Sequence, residues 1–291
     1  MKILLATDGS EYATGAARLL ARLPHKEPLE LTVLFVSYAP ETYGAQQVAA
    51  GMERILATER ERADKVFQHI QEMFSGADVK LECVFLHGQV GKTIIEQAKS
   101  KNIELVVLGA VGYSTFDRLL LGSTSDFVAT HAHCSVLVVR PAELSQHGPR
   151  ICWAFDDSAA AHLAVQQLAK FLWGRQTQID VVQVVARSGL YSEIPIVIDV
   201  EEIKQRLLPK VQAAAKELHS ISEQVTPHVI DAMSPGSGLV DFAQQHSSDL
   251  ILMGDTGRGL LSRFLLGSVS RHVLRHAECS VWIAREIAPV E

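Results

Sequence analysis

Residues 105–124 read LVVLGAVGYSTFDRLLLGST, and residues 250–269 read LILMGDTGRGLLSRFLLGSV. Each segment contains an apolar run, then the spacing Gly-x2-Gly-x9-Gly-Ser, and each leads into a stretch typical of a helix. The matching glycines lie 145 positions apart and are Gly109 and Gly254, Gly112 and Gly257, and Gly122 and Gly267. Self-similarity at a fixed distance, with unchanged internal spacing, indicates a duplicated unit.

Length and composition agree with two globular domains. The chain has 291 residues, of which 47% are apolar and 21% charged, and a net charge of −6 at pH 7. These values are those of folded rather than disordered chains. We predict domains at residues 1–142 and 149–287, joined by the polar linker Glu143 to Pro149. The mild acidity argues against a nucleic-acid-binding surface, which would need clustered positive charge.

Targeting signals and cysteine use favour a cytosolic protein. The apolar run at Ile3 to Ala6 is too short for a signal peptide core, and we expect no membrane-spanning segment. The four cysteines form no CxxC pair and are Cys83, Cys134, Cys152 and Cys279. We interpret them as small buried apolar residues of a reduced, cytosolic protein.

Short apolar runs alternate with segments of helical periodicity throughout both halves. The predicted helices lie near Ser10 to Arg22, Gln46 to Phe74 and Lys92 to Lys101 in the first half, and near Ala159 to Leu172, Val200 to Ile221, Leu239 to Gln245 and Ser268 to His276 in the second. The first half predicts strands at Ile3 to Ala6, Leu31 to Val36, Leu81 to Leu86, Leu105 to Leu108 and Val136 to Val139. The second predicts them at Cys152 to Phe155, Ile179 to Val185, His228 to Ala232, Leu250 to Met253 and Val281 to Ala284. Strands that are apolar on both faces are typical of parallel sheets covered by helices. The fold class is therefore α/β, with one open parallel sheet and right-handed crossovers in each half.

The repeated glycines predict a ligand site in each half. Ligands of open parallel sheets bind beyond the carboxyl ends of the strands, where the strand order reverses. Asp8 and Asp156 end the first strand of their halves, and Gly109 and Gly254 end the fourth. Such an aspartate suits a ribose hydroxyl or a divalent cation.

The remaining glycines of the motif are suited to binding the phosphate groups of a ligand. Gly112 and Gly257 allow close approach of the backbone or a positive φ. Gly122 and Gly267 precede a helix start, which favours an anion. The alternative is that the glycines only form turns and the aspartates only cap helices. Two copies with unchanged spacing weigh against that alternative.

The chain resembles the universal stress protein family, as a tandem member with two domains. The resemblance rests on the repeated glycine motif, the early Asp8-Gly9-Ser10 and the stretch Phe264 to Ser270. It implies a five-stranded parallel sheet in the order 3-2-1-4-5 and binding of ATP or AMP. It also implies that the fifth strands pair, so that the two halves form a pseudo-dimer within one chain, with a further homodimer left open.

The resemblance also assigns roles to residues. Asp8 and Asp156 would contact ribose or Mg²⁺, and Val36, Val184, Leu108 and Met253 would lie near adenine. The phosphate residues would be Gly109, Gly112, Gly122, Ser123 and Thr124 in the first half, and Gly254, Gly257, Gly267, Ser268 and Val269 in the second.

The second half departs from this pattern. Asp157 replaces Gly9, and Asp255 adds a further negative charge that Arg258 would partly offset. Tyr113 holds the place of Arg258 in the first half. Arg118 and Arg263 match each other within the x9 loops, where they would reach phosphates or form a solvated face. Occupancy by nucleotide is therefore expected to differ between the halves.

Two other motifs suggest different chemistry. Gly88 to Thr93 ends like a P-loop, but it follows the third strand and lacks the first glycine, so we interpret it as a turn and a helix start. His272, His276 and Cys279 have a metal-like spacing, as do His131, His133 and Cys134. Because each cysteine enters a strand, we expect it to point into the core.

Three functional hypotheses follow. The first is a nucleotide-binding stress or energy sensor that acts through an unknown protein partner, with binding more important than turnover. The second is slow ATP hydrolysis, for which no general base beyond the two aspartates is evident. The third is a nucleotide-free scaffold with inherited glycine turns.

Overall fold

The structure is a computed structural model, and it describes residues 1–38, 46–112, 121–140, 148–187, 199–257 and 266–286, with the side chains of residues 46–54 left out of the description. The described residues fall into two compact units, one within Met1–Arg140 and one within Pro141–Glu286. We refer to these as the first and the second unit and describe each by itself. The predicted domain limits of 142 and 149 stay a prediction.

The first unit is a five-stranded parallel sheet with helices between the strands. Its elements in chain order are β1 Lys2–Thr7, α1 Glu11–Arg22, β2 Leu29–Tyr38, α2 Gln46–Met73, β3 Val79–Gly88, α3 Val90–Ser100, β4 Leu105–Gly109, α4 Ser123–His131 and β5 Ser135–Val139. The strand order is β3-β2-β1-β4-β5, with every pairing parallel. The predicted order 3-2-1-4-5 is confirmed.

The second unit repeats the architecture. Its elements are β6 Arg150–Ala154, α5 Ala159–Leu168, β7 Gln178–Ala186, α6 Val200–Glu217, β8 Gln224–Ala232, α7 Pro235–Gln245, β9 Leu250–Gly254, α8 Ser268–His276 and β10 Ser280–Ala284. The strand order is β8-β7-β6-β9-β10, again with parallel pairings. The α/β fold class is therefore confirmed in both halves.

The core of each unit lies on both faces of its central strands. In β4, the run Leu105 to Leu108 is buried, and β5 is buried along its whole length. In the second unit, Trp153 and Trp282 are fully buried, and each indole N–H finds an acceptor inside the protein. Strands covered on both faces bury every side chain, which explains why their sequences are continuous apolar runs.

Helix α7 begins four residues before the predicted start at Leu239. Ser234 caps it by accepting the N–H of Ser237, and Pro235 takes the first helical position, where its missing N–H costs nothing. Gly236 and Gly238 interrupt the helical pattern of this stretch in the sequence. Both lie against neighbouring side chains, because an added Cβ would come within 2.8 Å of His272 and 2.7 Å of Ala232, respectively.

Other boundaries also differ from the expectations. Helix α3 starts at Val90, so Gly91 lies inside it. Helix α5 ends at Leu168 and not at the predicted Leu172. The Leu168 carbonyl accepts a hydrogen bond from the Trp173 indole N–H. Strand β8 begins at Gln224 and includes Pro227, which an outer strand tolerates because one of its edges has no ladder partner in the sheet.

The cysteines are free thiols. Three are buried as expected, whereas Cys83 in β3 is only half-buried. Burial raises the pKa of the Cys152 thiol well above its usual value, so it stays protonated. Within the described residues, no helix is both long enough and apolar enough to cross a membrane.

Candidate functional site

The turn between β1 and α1 holds Asp8 in a fixed orientation. One carboxylate oxygen, Oδ1, accepts the N–H of Ser10 at 2.9 Å, and the Ser10 hydroxyl caps α1 by accepting the N–H of Ala13 at 3.3 Å. Gly9 between them has φ +75°, a left-handed conformation that suits glycine. The turn leaves Oδ2 of Asp8 directed toward the glycines that follow β4.

The glycines after β4 allow three backbone segments to approach one another. An added Cβ on Gly109 would lie 2.7 Å from the backbone carbonyl carbon of Tyr12 in α1. On Gly112 it would lie 2.8 Å from Oδ2 of Asp8. The N–H of Gly122 donates to the Ala110 carbonyl at 2.8 Å and returns the chain to the same place. The strand-end aspartate and the glycine motif therefore meet, as the sequence predicts.

A cavity of about 310 Å³ opens at this meeting point. All eight site residues predicted in the first half line it: Asp8, Val36, Leu108, Gly109, Gly112, Gly122, Ser123 and Thr124. Their binding roles stay a prediction. Val90 and Ile94 of α3 line the same cavity and were not predicted from the sequence. The rule that the carboxyl ends of all parallel strands share one edge could have found them, since α3 follows β3 directly.

Arg62 of α2 is a further residue at this site that was not predicted from the sequence. Its guanidinium donates to the backbone carbonyl of Asp8 at 2.7 Å and lies 5.8 Å from the centre of the Phe35 ring. Val66, one turn later, lies against Gly9, where an added Cβ would come within 2.7 Å. Helix α2 thus contacts the Asp8 turn from outside the cavity.

The second unit builds the equivalent turn with different side chains. Asp156 Oδ1 accepts the N–H of Ser158 at 3.0 Å, as Asp8 does for Ser10. Asp157 stands where the first unit has Gly9, and it keeps the left-handed conformation with φ +62°. Its carboxylate lies 3.5 Å from His162 and 3.4 Å from Lys210. The extra charge that the sequence places here is therefore directed toward cationic and imidazole partners on α5 and α6.

The cavity of the second unit is smaller, about 170 Å³. Six of its eight predicted residues line it: Asp156, Val184, Met253, Gly254, Gly257 and Val269. Gly267 and Ser268 are not among the lining residues, although the Gly267 N–H bonds to the Asp255 carbonyl just as Gly122 bonds to Ala110. An added Cβ on Gly257 would lie 2.8 Å from Oδ2 of Asp156. The aspartate and the second glycine meet here too.

Asp255 has a partner that the sequence did not predict. Its carboxylate accepts a hydrogen bond from Arg285 at 3.0 Å, and both side chains are almost fully buried. Arg285 follows β10, beside the end of β9 where Asp255 lies. Arg258, the partner expected from the sequence, lies outside the described residues, as do Tyr113, Arg118 and Arg263.

The helices that face the two cavities begin differently. Gln89, at the cap position of α3, makes no capping hydrogen bond with its side chain. Ser234 does cap α7, and Pro235 follows it without an N–H to offer. At the starts of α4 and α8, Thr124 in the first unit corresponds to Val269 in the second. The helix starts at the first cavity therefore offer more hydrogen-bond donors than those at the second.

Gln183 marks a further difference beside the second cavity. It occupies the β7 position that corresponds to Phe35 of β2, whose ring packs on Phe67 and Phe85. Gln183 is buried, and its Oε1 has no hydrogen-bond partner in the described part of the chain. An aromatic contact of the first unit is thus replaced by a buried polar group.

The metal-like and P-loop-like motifs find no support as sites. Across the described ranges, no group of three or more His, Cys, Asp or Glu side chains could hold a metal ion. The rings of His272 and His276 stack at 4.1 Å on the surface of α8. Gly88 ends β3, and Lys92 lies in the first turn of α3.

Fold and sites together define a class: α/β proteins with two parallel sheets of the same strand order, each with a cavity where that order reverses. The model of the universal stress protein family matches residues 1–140 and 149–285. The chain belongs to the universal stress protein family.

Relatives of two lengths support this assignment. A universal stress protein of Mycobacterium tuberculosis is 28% identical over 308 residues, covering 98% of this chain and 97% of the relative. One of Synechocystis is 32% identical over 155 residues, covering 48% of this chain and 97% of the relative. The crystal structure of a universal stress protein from Archaeoglobus fulgidus shares the fold, with a TM-score of 0.66, 21% identity and coverage of 98% and 96% of the two chains.

Proposed function

We propose that this chain binds an adenine nucleotide and acts as a stress or energy sensor, with binding more important than turnover. The observation that carries the proposal is the first cavity, since all eight residues predicted for that site line it. Val36 and Leu108 provide an apolar wall suited to a base. Asp8 provides a carboxylate suited to ribose hydroxyls.

The phosphate end of the first cavity supports ATP as the ligand. Ser123 and Thr124 begin α4, where free N–H groups and the helix dipole favour an anion. Oxygen donors are what Mg²⁺ prefers, and Asp8 with these hydroxyls supplies them. When bound, Mg²⁺ would neutralise phosphate charge. The carboxylate beside Gly112 would hold the ion or the ribose.

The output of the sensor would be a change in the surfaces offered to a protein partner in the cytosol. The x9 loops, residues 113–121 and 258–266, connect the glycines of each motif, so a bound phosphate chain would order them. We expect proteolysis within these loops to slow when ATP is added. Unchanged cleavage by a protease that cuts there would contradict this part of the proposal.

Isothermal titration of the nucleotide-stripped protein with ATP and Mg²⁺ tests the proposal. A saturable heat and a rise in Tm are expected, because a ligand that binds only the folded state stabilises it. Titration with GTP is the matched control for the base. Neither heat nor a shift in Tm would favour the nucleotide-free scaffold instead.

A further inference from the structure

The two cavities differ in ways that bear on which ligand each one takes. The first has a volume of about 310 Å³ and the second about 170 Å³. The walls at the base end are similar, with Val36 and Leu108 in one and Val184 and Met253 in the other. The lining residues differ more at the helix starts, which form the phosphate end.

The α4 and α8 starts differ in the groups that they present. Gly122, Ser123, Thr124 and Ser125 all line the first cavity. Only the last two positions of the equivalent stretch, Val269 and Ser270, line the second. Valine has no hydroxyl to offer where the first cavity has Thr124. The Ser270 hydroxyl donates to the carbonyls of Gly254 and Asp255, much as the equivalent Ser125 donates to that of Gly109, so these two serines do not distinguish the cavities. The second cavity thus lacks side-chain donors at this point.

The α3 and α7 starts differ in the same sense. Val90 brings the first turn of α3 to the first cavity, and no side chain caps that helix. In the second unit, Pro235 fills this position without an N–H, and the Ser234 hydroxyl already accepts the N–H of Ser237. A polyphosphate chain needs several converging donors, because each anionic oxygen that leaves water must be paired again.

We propose that the two sites take different ligands of one class: the first takes the nucleoside triphosphate, and the second takes a nucleoside with at most one phosphate. This inference rests on the proposed function and assigns the substrate class of each site. Asp156 and the apolar wall remain to hold ribose and base in the second unit. The second site lacks the hydrogen-bond donors that a second and a third phosphate would need.

Parallel titrations with Mg²⁺-ATP and with AMP test the assignment. The wild-type chain is expected to bind about one ATP and about two AMP at saturation. Asp8→Ala is expected to abolish ATP binding and leave one AMP site. The matched variant Asp156→Ala is expected to leave ATP binding within about twofold of wild type and reduce AMP to one site.

The fold of each variant is checked by circular dichroism before titration. If Asp8→Ala is poorly folded, Asp8→Asn replaces it, because asparagine keeps an acceptor for the Ser10 N–H. Two ATP bound per chain, or ATP binding lost in Asp156→Ala but not in the Asp8 variant, would overturn the assignment and leave the proposed function standing. A wild-type chain that binds neither ligand would overturn the proposed function itself.

Discussion

The turn before α1 and the turn before α5 hold equivalent aspartates by an equivalent serine N–H, but the contacts around each turn differ. In the first unit, Gly9 adopts the left-handed conformation and Arg62 bonds to the backbone carbonyl of Asp8. In the second, Asp157 adopts that conformation and its own carboxylate lies near Lys210. The backbone of the duplicated unit has been kept, whereas the polar groups around it have changed. Backbone geometry and the polar groups around it can therefore diverge separately after a duplication.

The largest effect should come from the glycines that end β4 and β9. Gly109→Ala and Gly254→Ala place a Cβ 2.7 Å and 2.5 Å from atoms of α1 and α5, with backbone atoms of the helix within 2.9 Å in both cases. We expect each to destabilise its own unit by about 2–3 kcal/mol, since backbone atoms cannot move aside cheaply. Amide hydrogen exchange, followed by mass spectrometry of peptides from each unit, measures this.

Gly122→Ala is the matched control for this prediction. Its added Cβ has more room, with the nearest atom, the Ala110 carbonyl oxygen, at 3.2 Å. The expected loss is below about 1 kcal/mol. Equal losses for Gly109→Ala and Gly122→Ala would show that close approach to α1 is not what requires glycine at position 109.

The next effect concerns the caps of α7 and α3. Ser234→Ala removes the acceptor for the Ser237 N–H and should destabilise the second unit by about 1 kcal/mol. Gln89→Ala should leave the first unit within about 0.5 kcal/mol of wild type, because this side chain makes no capping bond. Urea unfolding monitored by exchange in each unit gives both values. If Gln89→Ala lowered stability as much as Ser234→Ala, the two helix starts would not differ in their capping.

A smaller difference is expected between Arg62→Ala and Lys210→Ala. The Arg62 bond at 2.7 Å joins a charged donor to the backbone of the Asp8 turn, so its loss should cost about 1 kcal/mol. Lys210 is 57% exposed and lies 3.4 Å from Asp157, so its loss should cost less than about 0.5 kcal/mol. The sharper readout is ATP affinity, which should fall in Arg62→Ala only. Unchanged affinity would mean that α2 does not position Asp8.

The smallest effect is a dependence on pH confined to the second unit. Burial and the neighbouring His276 lower the pKa of His272 below its ordinary value of 6.5, while Asp241 acts in the opposite direction. The unfolded chain therefore binds the proton more readily, so the second unit should lose stability as pH falls below about 6.5.

The first unit provides the control for this pH effect. Phe127 stands at the position equivalent to His272, with its ring tilted beside that of His131 and the two ring centroids 4.4 Å apart. His272→Phe should therefore remove part of the loss of stability at mildly acid pH, measured as the change in exchange of α8 peptides between pH 7 and pH 5.5. If His272→Phe lost as much stability at mildly acid pH as the wild type, groups other than His272 would be responsible for the loss.

The strands and the glycine motif could be predicted because their signals are local: apolar runs mark the strands, and the repeated spacing marks the glycines. The strand order, which brings β4 and α4 to Asp8, has no local signal and was implied only by the resemblance to the universal stress protein family. The start of α7 was missed because Gly236 and Gly238 break the helical pattern in sequence. Their reason is tertiary, since one lies against His272 and the other against Ala232.

The side-chain partners could not be predicted because they join residues that are distant in the chain. Arg62 reaches Asp8 across 54 positions, and Arg285 reaches Asp255 across 30. Nothing in the sequence next to either aspartate identifies its partner. The lining of the second cavity likewise brings together Pro235 and Val269, whose convergence only the folded chain reveals.

The strand order also governs the order of events during synthesis. Strand β1 leaves the ribosome before the other four strands of its unit, yet it is the middle strand, and its neighbour β4 begins at Leu105. Until that residue has been made, β1 can pair with β2 on one side only, and the backbone N–H and C=O groups on its other edge stay available to wrong partners. Each half of the chain passes through this stage once. A nascent chain would therefore be most prone to aggregation just before its fourth strand appears.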